Sequence, residues 1–141
     1  MNFEKYTNSS KKIINAAQNS ALGKKHQKIT PMHIFSELLN SNHDLIVKVF
    51  EGSDLSQIKV ATQSNLAKEA SNGGNGQIFA DHKLIQLFEK AEKLASEQQD
   101  NYVSIDSLLI SAIQSDNNVE AIIKNGGLNL NKIQNKISEI R

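Results

Sequence analysis

Sliding the sequence along itself by 74 residues lays one half on the other. Ile14 falls on Phe88, Ala17 on Ala91 and Ala21 on Ala95, and further on Ile29 meets Val103, Thr30 meets Ser104 and Ile34 meets Leu108. Leu39 then meets Ile113, Val49 meets Ile123 and Gly52 meets Gly126; after one inserted residue Leu55 matches Leu130 and Ile58 matches Ile133. Apolar side chains fall on apolar ones, small on small, and Thr7, a good helix cap, lands on Asp81, another. This is the mark of a tandem duplication, and it narrows what the chain can become. Two copies are too few for an open solenoid, in which each repeat is stabilised by stacked neighbours. Each copy must bury its apolar face against the other. The expectation is one globule with a pseudo-two-fold axis. Repeat one runs to about residue 70, the Gly-rich SNGGNGQ at 71–77 serves as a flexible connector, and repeat two covers about 78–141.

The repeating unit reads as four helices, giving an all-α chain of about eight. A single proline, Pro31, interrupts it, and apolar residues recur at three- and four-residue steps. A first helix follows Thr7, with Ile13, Ile14, Ala17, Ala21 and Leu22 on its buried side. The second has the strongest start: Thr30 as cap and Pro31 at the first position, where a missing N–H costs nothing. Its apolar face holds Ile34, Phe35, Leu38 and Leu39. A short helix from Leu45 to Phe50 ends near Gly52, and Asp54 with Gln57 makes a capping box for a fourth, bearing Leu55, Ile58, Ala61 and Leu66. In the second copy, periodicity resumes with Leu84, Leu87, Phe88, Ala91, Leu94 and Ala95.

Composition excludes several function classes. The net charge is +1, and of sixteen basic residues only Arg141 is arginine. Nucleic-acid binding calls for a basic stripe with arginine and aromatic residues, so no nucleic-acid partner is expected. No apolar run approaches the ~20 residues of a membrane span, and Met1 to Ser10 lacks the core of a signal peptide. A cytoplasmic chain with no membrane partner is expected. There is no cysteine, hence no disulfide frame or thiolate chemistry. With no heptad seam sustained over several turns, the chain itself should be a monomer.

A search for chemistry returns little. No Gly-Lys-Ser/Thr follows SNGGNGQ and no strand pattern precedes it, so it is not a phosphate loop. His26, His33, His43 and His82 lack metal-ligand spacing. His33, at the start of a helix, reads as a partly buried histidine bonded to backbone. Asp106 falls in the first turn of a helix capped by Ser104, where the dipole favours a carboxylate, and Asp100 suits a loop held through backbone N–H groups. Phe3, Tyr6, Phe79 and Tyr102 lie off the helical stripes and suit either the ends of the core or an exposed contact surface. No catalytic residue, cofactor or metal ligand is expected in these residues.

Three stretches together resemble the Clp N-terminal domain, a double four-helix repeat: the opening FEKYTNSSKKIINAAQNSALGKKHQKITPMHIFSELL, then DNYVSIDSLLISAI, and the closing GGLNLNKIQNKI. Within that family, Gln27, Ile29, Pro31 and His33 look more like the ClpB type than ClpA or ClpC. The resemblance implies a substrate-binding and regulatory domain ahead of two AAA+ ATPase modules. The full protein would be a homohexameric disaggregase that uses ATP and magnesium and works with the DnaK system. Its partners would be unfolded or aggregated polypeptides, held in an apolar groove. ClpA and ClpC relatives imply the alternative, docking of a folded adaptor. The family's polar positions map onto Thr7, Asp100 and Asp106, the last usually glutamate; the groove positions map onto Leu94, Tyr102 and Phe88. Lys90 and Ser107 stand where relatives carry leucine, which implies a narrower or more polar groove.

Overall fold

The computed structural model describes residues 2–74 and 76–141; Asn75 of the connector and Met1 lie outside the described residues. In chain order come α1 (Asn8–Gly23), β1 (Lys28–Ile29), α2 (Pro31–Asn40), α3 (Asp44–Val49) and α4 (Leu55–Leu66). The second half follows as β2 (Phe79–Ala80), α5 (His82–Glu97), α6 (Ile105–Ser115), α7 (Asn117–Asn125) and α8 (Leu130–Ile140). Each half contributes four helices, as the duplication requires.

The halves interlock. Helix α1 packs on α2, and α5 on α6, so each copy keeps its first hairpin. The last two helices cross over: α3 packs on α8 and α4 on α7. Helices α2 and α6 meet each other at the centre. Both are buried on nearly every side, from Pro31 through Ser36 in one and from Ile105 through Ile113 in the other. Such a helix must bury apolar side chains all round, and the sequence supplies Ile34, Phe35, Leu38, Leu108, Leu109 and Ile113, each at most 2% exposed.

Backbone bonds repeat under the same shift. Thr7 N–H donates to Val103 O at 3.0 Å, and Asp81 N–H to Ile29 O at 2.9 Å. The parallel bridge Tyr6–Val103 answers the pairing of Ile29 with Ala80 in the two-residue sheet. His26 N–H reaches Ala21 O, and Asp100 N–H reaches Ala95 O, both at 2.9 Å. Lys25 and Gln99 are left-handed at φ 56° and 59°, closing α1 and α5 alike. A pseudo-two-fold axis thus relates hydrogen bonds as well as helices.

Four local expectations change. Leu22 is 40% exposed: it follows Ala21 by one residue, about 100° round the helix, and α1 ends too soon for a neighbour to cover it. The conformational partner of Gly52 (φ 82°) is Gly127 (φ 92°), not Gly126, because α7 runs further than α3 and absorbs the inserted residue before its left-handed turn. The Asp54 box is half formed. Asp54 Oδ1 accepts from Gln57 N–H at 3.1 Å, but Asp54 N–H donates across the repeats to Gly126 O at 3.0 Å. The start of the Gly-rich stretch is tethered: Gln27 N–H bonds Ala70 O at 2.7 Å and Asn72 N–H bonds Lys25 O at 2.8 Å.

Gly126 serves a packing purpose. Its φ is ordinary, but a Cβ there would lie 2.3 Å from Cγ1 of the fully buried Ile58. Helices α4 and α7 approach closely because that atom is missing. Gly126→Ala is expected to cost about 1–3 kcal/mol through overpacking, read as a lower urea midpoint with unchanged slope. Ile58→Val in the same background should recover part of the loss.

Candidate functional site

The site is built where the two copies exchange backbone at one end of the molecule. Val103 N–H donates to Lys5 O at 2.7 Å, and its carbonyl accepts from Thr7 N–H and, at 3.0 Å, from the Ser10 hydroxyl. This pins the start of α1 beside the start of α6. Thr7 caps α1, accepting from Ser10 N–H at 3.1 Å and donating to Ser10 Oγ at 2.9 Å. Its hydroxyl is therefore already used within the fold, and the half-buried side chain forms a wall.

Asp106 sits at the second position of α6 and is 2% exposed. A carboxylate buried this deeply needs partners. Its Oδ1 accepts from Ser107 N–H at 2.9 Å and from the Ser104 hydroxyl, and the free N–H groups of the helix start favour its charge. Ser104 thus caps α6 indirectly, spending its hydroxyl on Asp106. Arg141, just past α8, completes the cluster. Its Nη2 lies 2.6 Å from Asp100 Oδ2, and its Nε lies 2.9 Å from Asp106 Oδ2. The hydrogen bond to Asp100 holds the guanidinium above its ordinary pKa. Asp100 binds this side chain rather than the loop amides expected from sequence.

Thr7, Ser9, His43, Leu45, Ser104 and Asp106 line a cleft of about 270 Å³ that Arg141 borders. Asp100 and Tyr102 line a neighbouring cleft of about 370 Å³ with Lys5, Glu92 and Ser96. Tyr102 is 54% exposed, a large apolar face beside a carboxylate. Leu94 is only half-buried and lies in a third depression with Lys90, Lys93, Glu97 and Gln114. Lys90 Nζ reaches Gln114 O at 3.2 Å across it, which makes this end of the expected groove polar. Ser107 is fully buried, so it shapes the packing of α6 and leaves the surface unaltered. Phe88 belongs to the core. At 3% exposure it packs edge-on against Phe3 and Tyr6, with ring centroids 5.1 and 6.1 Å away. Burial and the nearby Glu92 carboxylate push the Tyr6 phenol above its usual range, so it donates to Glu92 at 3.0 Å.

The structure therefore unites Thr7 with Asp106, places Asp100 and Tyr102 beside them, and sets Leu94 apart. Sequence reasoning passed over Arg141, whose signal was that it is the single arginine.

The pseudo-two-fold separates scaffold from site. At the opposite end a cleft of about 210 Å³ is lined by Lys28, Thr30, Met32, Asp81 and Lys83 among others. Shifted by 74, Thr7 becomes Asp81, Ser104 becomes Thr30, Tyr102 becomes Lys28 and Asp106 becomes the buried Met32. The capping residues persist at both ends. The position of buried Asp106 is a methionine at the other end, where the buried carboxylate is Asp116 and the exposed aromatic is Phe79, paired with Lys28 in the two-residue sheet.

His26 stands at the position equivalent to Asp100 and makes a buried polar contact of its own. Its Nδ1 is 2.8 Å from His33 Nε2, while His33 Nδ1 accepts from Thr30 N–H at 3.0 Å. His33 thus fills the role usually taken by Glu or Gln at the third helical position. With Nδ1 accepting, neutral His33 carries its proton on Nε2 and gives it to His26. Burial, with His26 and Lys24 nearby, lowers the His33 pKa to about 4.

The chain belongs to the family of the Clp repeat N-terminal domain, whose model matches residues 5–126. Its curated relatives include the chaperone protein ClpB of Rhizobium meliloti, 32% identical over the whole chain, and that of Rickettsia conorii at 30%. The chain spans 17% of the length of each. Among solved structures it is similar to the Hsp104 N-terminal domain from Candida albicans (TM-score 0.85, 23% identity, covering 98% of this chain and 92% of that one). It is also similar to the N-domain of ClpV from Vibrio cholerae (TM-score 0.77, 19% identity, covering 98% and 86%).

One prediction concerns acid. The folded-state pKa of His33 lies below the unfolded value near 6.5, so unfolded chains take up its proton first as pH falls. The stability it confers is full above about pH 6.5 and is lost toward pH 4, on the order of a few kcal/mol. His33→Gln keeps the helix-start bond and removes the titration. Its denaturation free energy should fall less steeply between those pH values than that of the unaltered chain. Parallel slopes would contradict this assignment.

Proposed function

We propose that this chain is the N-terminal substrate-binding and regulatory domain of a ClpB-type disaggregase, capturing exposed apolar segments of unfolded or aggregated polypeptides for an AAA+ pore. The observation that carries the reading is the half-exposed Tyr102 standing beside Asp100, next to the cleft of Thr7 and Asp106. An apolar face edged by carboxylates suits extended peptide, whose side chains pack on the ring while its amides meet acceptors. The ClpB relatives, matched along the whole chain, support it. In such a protein ATP and magnesium would act in the ATPase modules, six copies would form the ring, and the DnaK system would engage other parts.

Capture by one such domain is weak. Burying one large side chain contributes about 1.5–3 kcal/mol, and ordering a flexible client subtracts from it. A ring of copies raises the effective concentration, and a loosely held client passes on easily. The polar depression around Leu94 favours a second reading, docking of a folded adaptor, because Lys90, Lys93 and Glu97 suit a charged partner.

An NMR titration with a permanently unfolded, non-aggregating protein tests this. Shifts are expected at Thr7, Asp100, Tyr102 and Asp106, smaller at Leu94. Tyr102→Ser should weaken binding about three- to tenfold, or ~0.7–1.4 kcal/mol, with little change in melting temperature because the ring is half exposed. Leu94→Ser should cost stability as well, since Leu94 packs on the core. Shifts confined to Lys90, Lys93 and Glu97, with Tyr102 silent, would move the assignment to the adaptor reading.

A further inference from the structure

The start of the Gly-rich stretch carries an arrangement that neither the fold nor the proposed function uses. It is built around the side chain of Asn72, whose own N–H is anchored to Lys25 O at 2.8 Å. Gly74 N–H donates to Asn72 Oδ1 at 2.8 Å, an Asx turn that carries the side-chain carbonyl forward over Gly73. Asn72 Nδ2 donates to Gln77 O at 3.2 Å, so both ends of the amide have partners. Gly73 N–H donates to Ser71 Oγ at 3.1 Å. Gly73 is left-handed at φ 69°, and with no Cβ it lets the side-chain carbonyl approach its nitrogen. That nitrogen is the atom that attacks when an Asn-Gly pair closes to a succinimide ring.

Among the described residues a second Asn-Gly pair, Asn125–Gly126, is built in the opposite way. Asn125 is the last residue of α7, and Gly126 N–H donates to Ile122 O and Ile123 O, both at 3.2 Å. The helix holds that nitrogen against the carbonyls of the preceding turn and away from the Asn125 side chain.

We infer that residues 71–74 form a self-modification site at which Asn72 deamidates in the folded chain. Gly73 N attacks Asn72 Cγ, and its proton passes to Ser71 Oγ and on to water. Gly74 N–H meets the negative charge that develops on Oδ1, at a distance that suits an oxyanion donor. The bond from Cγ to Nδ2 breaks, and the nitrogen takes a proton from water and leaves as ammonia. Water then opens the succinimide at either carbonyl, giving an aspartyl or isoaspartyl residue at position 72. No oxidant or cofactor is consumed. Both products lose the donor to Gln77 O and gain a carboxylate. The isoaspartyl form also lengthens the backbone by a methylene between the Lys25 contact and β2, which slackens the connector. The inference stands apart from the client reading.

The test uses the 141-residue chain carrying Asn75→Ser, so that a single Asn-Gly pair remains in the stretch. It is kept in mildly alkaline buffer beside the capped peptide acetyl-Ala-Ser-Asn-Gly-Gly-amide, which has the sequence of 70–74. Deamidation is read site by site as the mass gain of tryptic fragments, and the isoaspartyl product as methyl transfer by an isoaspartyl methyltransferase. Position 72 should react about threefold faster in the folded chain than in the peptide, because the reacting atoms are already placed. Asn125 should react at least about tenfold more slowly than Asn72. Ser71→Ala should bring the folded chain down to about the peptide's rate, and Gly73→Ala should slow it further by crowding the attacking nitrogen. Both positions are exposed, and no atom lies within 4 Å of a Cβ at Gly73, so the core is untouched. A folded rate at or below that of the peptide, or one that Ser71→Ala leaves unchanged, overturns the built site. Reaction at Asn125 as fast as at Asn72 overturns it as well.

Discussion

The carbonyls of Val103 and Ile29 hold the two copies together. Each accepts the N–H of the residue that caps the first helix of the other copy, Thr7 in one case and Asp81 in the other. A cap residue already uses its side chain on the helix start, so its own N–H needs an outside acceptor, and only the opposite repeat supplies one. With these ends fixed, α2 and α6 meet at the axis and α3 and α4 cross to the partner copy. Neither half could bury α2 or α6 alone. The structure is therefore one cooperative unit made from two similar sequences.

A symmetric scaffold still yields an asymmetric surface. The pseudo-two-fold creates a cleft at each end, because the helix starts and the short parallel pairings recur there. Few substitutions distinguish them. A carboxylate at the second position of α6 faces a methionine in α2, and an exposed tyrosine faces a lysine. Asp106 is tolerable because the helix start, Ser104, Ser107 and Arg141 share its charge. At the other end the equivalent room goes to Met32 and to a pair of hydrogen-bonded histidines, of which His33 completes the start of α2. One end bridges two carboxylates with Arg141 beside an exposed tyrosine; the other completes a helix start with histidines beside Lys28, Asp81 and Asp116.

The surface around Tyr102 is modest in apolar area. Leu94, which the family resemblance puts in the same groove, is hemmed by lysines, and Phe88 is spent on the aromatic cluster with Phe3 and Tyr6. Under the proposed function this favours release: a broad apolar groove would hold clients tightly and would expose an aggregation surface on the domain itself.

By itself the sequence determined the helices, the duplication and most of the core, since these follow from local periodicity, capping and a fixed shift between matching residues. Thr7, Thr30, Asp54 and Asp81 announce helix starts in two or three residues, and the stripe of Ile13, Ile14, Ala17 and Ala21 is buried as its spacing demands. Tertiary structure alone decided which helix of one copy meets which helix of the other. It also decided that Gly126 yields to Ile58, that Phe88 is buried against Phe3 and Tyr6, and that Arg141 reaches across 41 and 35 residues to Asp100 and Asp106. Those contacts join residues far apart in the chain, and side-chain chemistry specifies them only once the crossover has placed the ends together.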